Sequence, residues 1–480
     1  MRNLEEKCGV FGIYGKGLDV SRLTFFGLYA LQHRGQESSG IASTDGKEIY
    51  CYKNKGLVSQ VFNEKIIENL PGFIAVGHNR YSTSSGTDVR NAQPIEVEDK
   101  SIVLVHNGNL PSVIQLVDFL KNKGIALKKA SDSTIITEAL HCLVKEGMEI
   151  DKAIIEIFPL MVGSFSILIM TKTKIIALRD SFGIRPLSIA KLNGGYVFSS
   201  ETCAFHPVGA SFIRDVNPGE MVVVDEEGLR IKQIVKGTQK LDIFEFVYFS
   251  RPDSVLLGQS VYEVRKRFGK QLAEENSIKA DVVIPIPETA TPAAIAYSKT
   301  SGIPFEIGLI KSRYIHRTFI EPEQHIREQG VKLKLSPLKD VIYGKRVIVM
   351  DDSIVRGTTS RQIVKLLFEI GAKEVHFLVG SPPIRFPDFY GIDIPNQKEL
   401  LASAKSIDEM NTYLGSTSLH FLSYKGMIKA TGIKESSFCT SCFTGDYPID
   451  LKERKKDVNY NVPQTPVPSE NLLFDWNEIN

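Results

Sequence analysis

The sequence has few cysteines and no long apolar run, and each shortage argues against a class of protein. Six cysteines among 480 residues are too few for the disulfide framework of a secreted domain, so we expect a reducing, cytoplasmic location. No apolar run reaches the ~18 residues that a membrane span needs, and the opening MRNLEEK lacks the apolar core of a secretory signal. A net charge of +2 gives no indication of nucleic-acid or membrane binding.

The composition is that of a globular protein. The length of the chain predicts two to three domains. Up to about residue 235, strand-like runs alternate with Gly-rich turns, among them FIAVGHNRY, SIVLVHNGN, FSILIMTKTKIIALRD and LSIAKLNGGYVFSS. Helices are predicted from Ser21 to Gln32 and from Ser133 to Lys145. This pattern predicts an α+β domain with mostly antiparallel sheets covered by helices.

After about residue 255 the pattern changes to strands that alternate with helices. The strands are DVVIPIP, RVIVMDD and EVHFLVG, and the helices are SVYEVRKRFGKQLAEE, one that starts near Thr291, and SRQIVKLLFEIGA. Such alternation predicts a parallel sheet that binds ligands at the C-terminal ends of its strands. The two halves therefore predict two active sites, and the last residues, with their charged run and VPQTPVP, predict an extended tail.

The stretch VIVMDDSIVRGTT is the most specific local signal in the second half. Asp351 and Asp352 end an apolar strand, and a loop with Gly357, Thr358 and Thr359 then opens a helix, where backbone N–H groups and the helix dipole favour a phosphate. Two adjacent carboxylates beside a phosphate need hydroxyls or a cation, which a sugar diol and Mg²⁺ supply. The alternative is an ordinary strand–helix turn with an acidic N-cap.

This stretch resembles the phosphoribosyl pyrophosphate (PRPP) loop of the type I phosphoribosyltransferases. The resemblance implies that the acid pair binds the ribose hydroxyls and Mg²⁺, that the loop binds the 5′-phosphate, and that IPIPETATP places Thr289 near the metal. The basic segment KSRYIHRTFI resembles the family's loop that closes over PRPP. The PRPP-binding residues so implied are Asp351, Asp352, Ser353, Arg356, Gly357, Thr358, Thr359, Lys311, Arg313 and Arg317.

In the first half, polar residues recur at the edges of apolar runs. Arg34 lies in QHRGQESSG, Arg80 in GHNRYST, Asn107 and Gly108 in VHNGNL, and Asp132 in SDST. Each motif alone is weak, because an Asn-Gly pair after a strand is usually a turn. Cys8 in EEKCGVFGIYG is likewise, by itself, as typical of a buried structural cysteine as of a nucleophile.

Together these motifs resemble the glutaminase domain of the N-terminal-nucleophile amidotransferases. The resemblance implies that Cys8 attacks the glutamine amide, that Asn107 and Gly108 stabilise the oxyanion, and that Arg80 and Asp132 bind the substrate's α-carboxylate and α-ammonium groups. It also implies that Arg34 supports the glutamine pocket. Because the family's base is the free α-amino group of the cysteine, residues 1–7 are expected to be a propeptide that is cut off before Cys8.

The two halves in this order resemble the glutamine phosphoribosylpyrophosphate amidotransferase family. The resemblance implies a glutaminase αββα sandwich over 8–235, an α/β phosphoribosyltransferase domain with a mainly parallel sheet over 236–445 and a tail over 446–480. It implies that glutamine, PRPP and water give 5-phosphoribosylamine, glutamate and pyrophosphate, the first step of de novo purine (IMP) biosynthesis, with ammonia passing between the sites. A homotetramer inhibited by purine nucleotides is also implied.

One departure from the family concerns an iron–sulfur cluster. FCTSC supplies Cys439 and Cys442, half of the four cysteines that such a cluster needs. At the other two aligned positions the chain has Asp242 and Asp388. We therefore predict that no cluster is bound, with incomplete or aspartate-assisted ligation as the alternative.

Two alternative functions remain to be distinguished from this one. Another cysteine-dependent amidotransferase, such as a glucosamine-phosphate or asparagine synthase, would need sugar-isomerase repeats or an ATP-pyrophosphatase loop, and VMDDSIVRGTT fits neither. A regulator that senses PRPP or nucleotides through an inactive glutaminase half is the second alternative. Glutamine-dependent release of pyrophosphate from PRPP distinguishes the enzyme from the regulator.

Overall fold

The structure is a computed structural model that describes residues 8–81, 92–127, 130–312, 335–391 and 396–463. The predictions made for residues 1–7, for Arg313 and Arg317, and for the tail beyond residue 463 therefore lie outside the described residues. No helix in the described ranges is long and apolar enough to cross a membrane.

The first half contains two antiparallel sheets. In spatial order, the seven strands of the first sheet are Ser211–Asp215, Ser188–Leu192, Gly195–Ser199, Gly9–Gly15, Ile74–Arg80, Ser38–Thr44 and Ile49–Lys55. The six strands of the second are Gly228–Gln233, Glu220–Asp225, Ile175–Arg179, Val162–Met170, Val103–Ser112 and Ile95–Glu96. Every pairing in both sheets is antiparallel, as the sequence predicts.

Helices cover the outer face of each sheet, while the inner faces pack on one another. Val10 and Val76 of the first sheet meet Val105, Leu168 and Val222 of the second in one apolar cluster. The helices over the first sheet are Val20–Ala30, Val58–Val61 and Glu64–Glu68, and those over the second are Ile114–Asn122, Asp132–Lys145 and Ile150–Ile157. The predicted αββα sandwich is confirmed.

Burial on both faces explains why strands in this half read as apolar runs instead of alternating patterns. All seven residues of Gly9–Gly15 are buried, for example. The helix Asp132–Lys145 begins one residue earlier than the periodicity predicts, because the hydroxyl of Ser131 accepts a hydrogen bond from the backbone N–H of Thr134 at 3.2 Å and caps it.

The second half is built on a parallel four-stranded sheet, again as predicted. Its strands, in spatial order, are Val282–Pro285, Arg346–Asp351, Glu374–Val379 and Ser418–Phe421. The helices Val261–Glu275, Thr291–Ser301, Tyr424–Thr431 and Ser441–Thr444 contribute to the core on one face. Lys339–Ile342, Thr358–Glu369, Leu401–Ala404 and Ile407–Leu414 contribute to the core on the other. Two short hairpins complete this half, Val255–Leu256 with Gln259–Ser260 and Leu309–Lys311 with Leu335–Pro337.

The junction between the halves is tied to the C-terminal part of the chain. The short strand Leu241–Asp242 pairs in parallel with Phe438–Cys439 and precedes a π-helix, Glu245–Phe249. Ile449 and Leu451, near the start of the C-terminal segment, are buried in a small apolar cluster with Phe389 and Tyr390. These two apolar residues explain why this part of the chain packs onto the molecule.

Candidate active sites

Cys8 lies directly before the central strand Gly9–Gly15 of the seven-stranded sheet. Its backbone oxygen accepts a hydrogen bond from Nε of Arg34 at 3.3 Å, and its Sγ lies 3.9 Å from the backbone oxygen of Tyr81. Burial is the largest influence on the pKa of the thiol and raises it, while the positive charges of Arg80 and Arg34 act in the opposite direction. The thiol is therefore held protonated, so a reaction at Sγ needs a base.

Asn107 lies on the strand Val103–Ser112 of the second sheet. Its side-chain nitrogen donates to the hydroxyl of Ser200 at 3.4 Å, and that hydroxyl accepts from the backbone N–H of Val10 at 3.0 Å. Ser200 thus connects the two sheets at Val10, which is two residues after Cys8. Among the described residues Asn107 Oδ1 has no hydrogen-bond partner although it is buried, so one end of this amide is available to a ligand.

Gly108 adopts a backbone conformation that requires glycine. Its φ is +149°, and a Cβ atom there would collide with the backbone oxygen of Ser164 on the neighbouring strand. The backbone at this position therefore approaches its neighbours more closely than any other residue would allow.

Asp132 begins a helix at the same end of the sandwich. Its Oδ2 accepts from the backbone N–H of Leu110 at 3.2 Å, its Oδ1 accepts from the N–H of Ser133 at 2.7 Å, and Nδ1 of His106 lies 3.8 Å from Oδ2. The charge of Asp132 raises the pKa of the Cys8 thiol, as a nearby anion does. The structure thus brings together the predicted residues of the first half that it describes.

Arg34 is engaged with the protein itself. Its guanidinium is buried and contacts Oε1 of Glu201, while both terminal nitrogens donate to the carboxylate of Glu245 at 3.0 and 2.9 Å. Burial alone would lower the pKa of Arg34, but the two carboxylates raise it above its usual range. With its third donor on Cys8, Arg34 is placed to hold the nucleophile's backbone, which favours the supporting role implied by the resemblance over direct substrate binding.

The acid pair of the second half ends the strand Arg346–Asp351, which has a parallel neighbour on either side. Oδ1 of Asp351 accepts from the backbone N–H of Asp352 at 2.9 Å, and Oδ1 of Asp352 accepts from the hydroxyl of Ser353 at 2.7 Å. Within the described part of the chain no Lys, Arg or His side chain lies at ion-pair distance from either carboxylate.

Burial raises the pKa values of both acids. Burial is the larger cause for Asp351, and the charge of Asp352 adds to it. Burial raises the pKa of Asp352 to about 6, against the opposing charge of Arg265. Two adjacent carboxylates that are costly to ionise will bind a cation favourably, and an all-oxygen donor set is what Mg²⁺ prefers. The residues present therefore fit this ion.

The loop after the acids ends at Gly357, whose φ is +71° and whose absent side chain leaves room for Leu401. The helix Thr358–Glu369 starts immediately afterwards and has no side chain that caps its first N–H groups. The N–H groups and dipole at a helix N-terminus suit an anion such as phosphate. Arg356, also in this loop, donates from Nε to Glu399 at 2.7 Å, so its guanidinium is held at the loop's edge.

Thr289 lies in the turn after Val282–Pro285, the strand that pairs directly with the acid-bearing strand, so it follows the same edge of the sheet. Lys311 ends a short strand and is exposed. Arg313 and Arg317 lie outside the described residues.

Cys439 and Cys442 are buried together with the two aspartates expected at the aligned positions. Asp242 is paired with Cys439 across the short parallel bridge, and burial, followed by the charges of Asp242 and Asp388, raises the pKa values of both thiols. The guanidinium of Arg185 lies 2.9 Å from Asp242 and 3.7 Å from Asp388. Within the described residues no group of three or more His, Cys, Asp or Glu side chains is arranged to hold a metal ion.

Sequence reasoning missed four residues that build the first site: Ser200, Glu201, Glu245 and Arg185. Three of them belong to none of the functional motifs quoted above, and Glu245 opens EFVYFSRPDS, the stretch at the junction of the two halves. The available signal was a charge inside an apolar run, because Glu245 interrupts IFEFVYF and a carboxylate in such a run must find a cation when it is buried.

Models of two domain families match the chain, one for each half. A glutamine amidotransferase domain matches residues 78–207, and a phosphoribosyl transferase domain matches residues 254–380. The chain is therefore a glutamine amidotransferase joined to a phosphoribosyltransferase.

Full-length relatives define the family more narrowly. Amidophosphoribosyltransferases of Synechocystis, Mycobacterium tuberculosis and Bacillus subtilis are 47%, 44% and 43% identical to the chain over 95%, 95% and 94% of its length, and over 94%, 89% and 96% of theirs. The chain belongs to the amidophosphoribosyltransferase family.

Two solved structures share the whole fold. The B. subtilis glutamine PRPP amidotransferase complexed with ADP and GMP is 43% identical, with a TM-score of 0.86 over 92% of this chain and 98% of that one. A structure described as the allosteric regulatory enzyme of purine biosynthesis is 42% identical, with a TM-score of 0.88 over 94% and 98%.

Proposed function

We propose that the chain converts glutamine, PRPP and water into 5-phosphoribosylamine, glutamate and pyrophosphate, the first step of de novo purine (IMP) biosynthesis. The observation that carries the proposal is the presence of two separate sites on one chain. Cys8 shares one end of the sandwich with Asn107 and Asp132, and the acid pair with its helix N-terminus lies at the end of the parallel sheet. We assign residues 8–235 to the glutaminase domain, 236–445 to the phosphoribosyltransferase domain and 446–480 to the C-terminal segment.

In the glutaminase site, Sγ of Cys8 attacks the side-chain carbon of glutamine, and the thiol proton passes to the cysteine's α-amino group and then to the departing ammonia. The amide of Asn107 and the N–H of Gly108 stabilise the oxyanion. Arg80 binds the α-carboxylate of glutamine and Asp132 its α-ammonium group. Water then hydrolyses the thioester to glutamate and restores the thiol.

This chemistry requires a free amino group on Cys8. While Lys7 is joined to Cys8, that nitrogen is an amide and has no basic lone pair. Residues 1–7 are therefore proposed to be a propeptide that is cut between Lys7 and Cys8. The mass of the purified protein tests this point, and a fully active protein that still begins at Met1 would contradict it.

In the second site, Asp351 and Asp352 bind the ribose hydroxyls, and the loop Ser353 to Thr359, including Arg356, binds the 5′-phosphate through N–H groups and hydroxyls. The two acids and Thr289 would hold Mg²⁺, which when bound neutralises charge on the pyrophosphate group. Lys311, Arg313 and Arg317 are the proposed cations for departing pyrophosphate. Ammonia forms the new bond to C1 of the ribose as the bond from C1 to the pyrophosphate oxygen breaks.

The two reactions share ammonia, which must reach C1 without protonation because ammonium has no lone pair. An interior apolar path would meet this need. We further propose a cytoplasmic homotetramer that purine nucleotides inhibit. This rests on the family resemblance and on the B. subtilis relative, which was solved with ADP and GMP.

The test measures pyrophosphate release from PRPP with glutamine or with ammonia as the nitrogen donor. We expect wild-type protein to use both, and Cys8→Ala to lose glutamine use by at least about 10³-fold while keeping ammonia use. Cys51→Ala, which changes a cysteine remote from the motifs, should keep both. If Cys8→Ala loses both activities while folded, the two-site scheme is wrong, and a wild-type protein that binds PRPP without either activity would instead be a regulator.

A further inference from the structure

A segment of the second half lies directly against the proposed oxyanion site of the first. The side-chain amide of Asn109 donates to the backbone oxygen of Phe389 at 2.8 Å. Gly391 packs on the backbone of Gly108, and a Cβ atom on Gly391 would lie 3.3 Å from the carbonyl carbon of Gly108 and 3.4 Å from its Cα and oxygen. Residues 388–391, here called the backing segment, therefore touch the strand that carries Asn107 and Gly108.

The backing segment is fixed from the glutaminase side. Arg185, which is fully buried, donates from Nε to the backbone oxygen of Tyr390 at 2.9 Å, and its guanidinium lies 3.7 Å from the carboxylate of Asp388. That carboxylate in turn accepts from the backbone N–H of Tyr390 at 2.8 Å. Phe389 and Tyr390 are themselves buried. The segment is held by these contacts as a rigid support.

Both the backbone conformation and the space at position 391 favour glycine. The φ of Gly391 is +112°, a region that favours glycine. The space beside it is also too small for a methyl group to fit without displacing Gly108 by a few tenths of an ångström. Gly108 has no room to absorb such a shift, because its other side faces the backbone of Ser164.

We propose that the backing segment is a positioning element of the glutaminase reaction, in which Gly391 and the bond from Asn109 to Phe389 keep the N–H of Gly108 and the amide of Asn107 aimed at the oxyanion. The proposal rests on the proposed function, because it assumes that this pair stabilises the oxyanion. The phosphoribosyltransferase part of the chain thereby completes the other active site.

An oxyanion contact forms only as the tetrahedral state develops, so its misplacement lowers kcat for glutamine and leaves KM nearly unchanged. Sub-ångström displacement of such a group costs roughly 10- to 100-fold in rate. Ammonia-dependent synthesis bypasses this step altogether. A merely structural defect would not divide the two activities in this way.

The test compares Gly391→Ala with Gly228→Ala. Gly228 has a similar φ of +104° but nothing within 4 Å of an added Cβ, so it reports the backbone strain alone. We expect Gly391→Ala to lower kcat for glutamine by about tenfold or more, with KM for glutamine within about twofold, and ammonia-dependent activity unchanged. Gly228→Ala should retain wild-type values for all three.

Asn109→Ala provides a second variant that leaves the glycine in place. Loss of its bond to Phe389 should lower kcat for glutamine less than Gly391→Ala does, again without changing ammonia use. Wild-type kcat in both folded variants, or an equal fall in glutamine and ammonia use, would overturn the proposal. A wild-type protein without glutamine use would instead contradict the proposed function, so the two failures are distinguishable.

Discussion

The two candidate sites differ in whether their buried charged side chains have partners of opposite charge. Near Cys8, the guanidinium of Arg34 is surrounded by the carboxylates of Glu201 and Glu245. At the end of the parallel sheet, the carboxylates of Asp351 and Asp352 have no cation at ion-pair distance among the described residues. In the first site the buried cation is already paired before any ligand arrives, as suits a substrate without net charge. The second has a surplus of negative charge, as suits a cation that arrives with a pyrophosphate.

The largest expected effect on synthesis from both nitrogen donors comes from neutralising the second site. Asp352→Asn should lower both glutamine- and ammonia-dependent synthesis by about 10²-fold or more, because a ligand of the ribose and the cation loses its charge. Hydrolysis of glutamine to glutamate should persist. Rates with the two nitrogen donors and the glutaminase rate measure this directly.

Asp340→Asn, which changes an exposed acid of the same domain, is the matched control and should keep all three rates. If Asp352→Asn were to lose only the glutamine-dependent rate, the division of labour between the two sites would be wrong.

Removing a carboxylate from the first site should have the opposite effect on stability from removing one at the second. Glu245→Gln leaves the buried guanidinium of Arg34 with one charged partner fewer and should cost about 3 kcal/mol of unfolding free energy. Asp352→Asn removes a charge that burial disfavours and should raise the melting temperature of the magnesium-free protein.

The melting temperatures of the two variants without magnesium measure this contrast. Glu227→Gln, at an exposed ion pair, should change the unfolding free energy by less than about 1 kcal/mol. Melting shifts of the same sign in Glu245→Gln and Asp352→Asn would refute the proposed difference between the sites.

The buried acid pair of the second site also predicts that folding stability and Mg²⁺ affinity depend on pH. The pKa of Asp352 is raised to about 6 in the folded protein, above its ordinary value of about 4 when unfolded. The folded state therefore binds the proton more tightly, so the stability that this group contributes is fully present below about pH 4, is lost as pH rises through about 6, and changes little above that. Mg²⁺ competes with the proton, so its affinity should weaken below about pH 6.

Melting temperatures from pH 5 to 8, with EDTA and with Mg²⁺, test this. In EDTA the change of stability between pH 5 and 7 should be smaller in Asp352→Asn than in wild type. An identical pH profile in the variant would show that the acid pair does not carry the dependence.

Local sequence patterns predicted the strands, loops and main candidate functional residues of both sites. They did not predict the contacts between residues that lie far apart in the sequence. The acid pair was predictable because a buried strand, two acids and a loop are adjacent in sequence. The convergence on Ser200 of Asn107 and of Val10, two residues after Cys8, depends on how two sheets stack, which no local pattern encodes. The role of Gly391 depends on a contact with a residue 283 positions earlier, and its sequence neighbourhood, FYGID, carries no signal for it.

The smallest expected effect of substitution concerns Cys439 and Cys442. Like the first site, their surroundings contain a buried guanidinium paired with carboxylates, and like the second, they contain buried acidic groups. Burial raises the pKa of Cys439 to about 12 and that of Cys442 well above its usual range, so both thiols remain neutral. An iron–sulfur cluster needs four thiolates, and the other two positions here are aspartates. Both aspartates lie close to the guanidinium of Arg185, which offsets their negative charge. We therefore expect anaerobically purified protein to contain no stoichiometric iron or sulfide.

Replacing both thiols should change little, because no charge and no ligand is lost. Cys439→Ala combined with Cys442→Ala should keep both synthetic activities within about twofold and lower the unfolding free energy by about 1–3 kcal/mol, the cost of two small cavities. Iron and sulfide analysis of the wild type, with the melting temperature and rates of the double variant, measures this. A brown protein with stoichiometric iron, or a double variant without activity, would mean that these cysteines hold a cofactor and that the aspartates serve it.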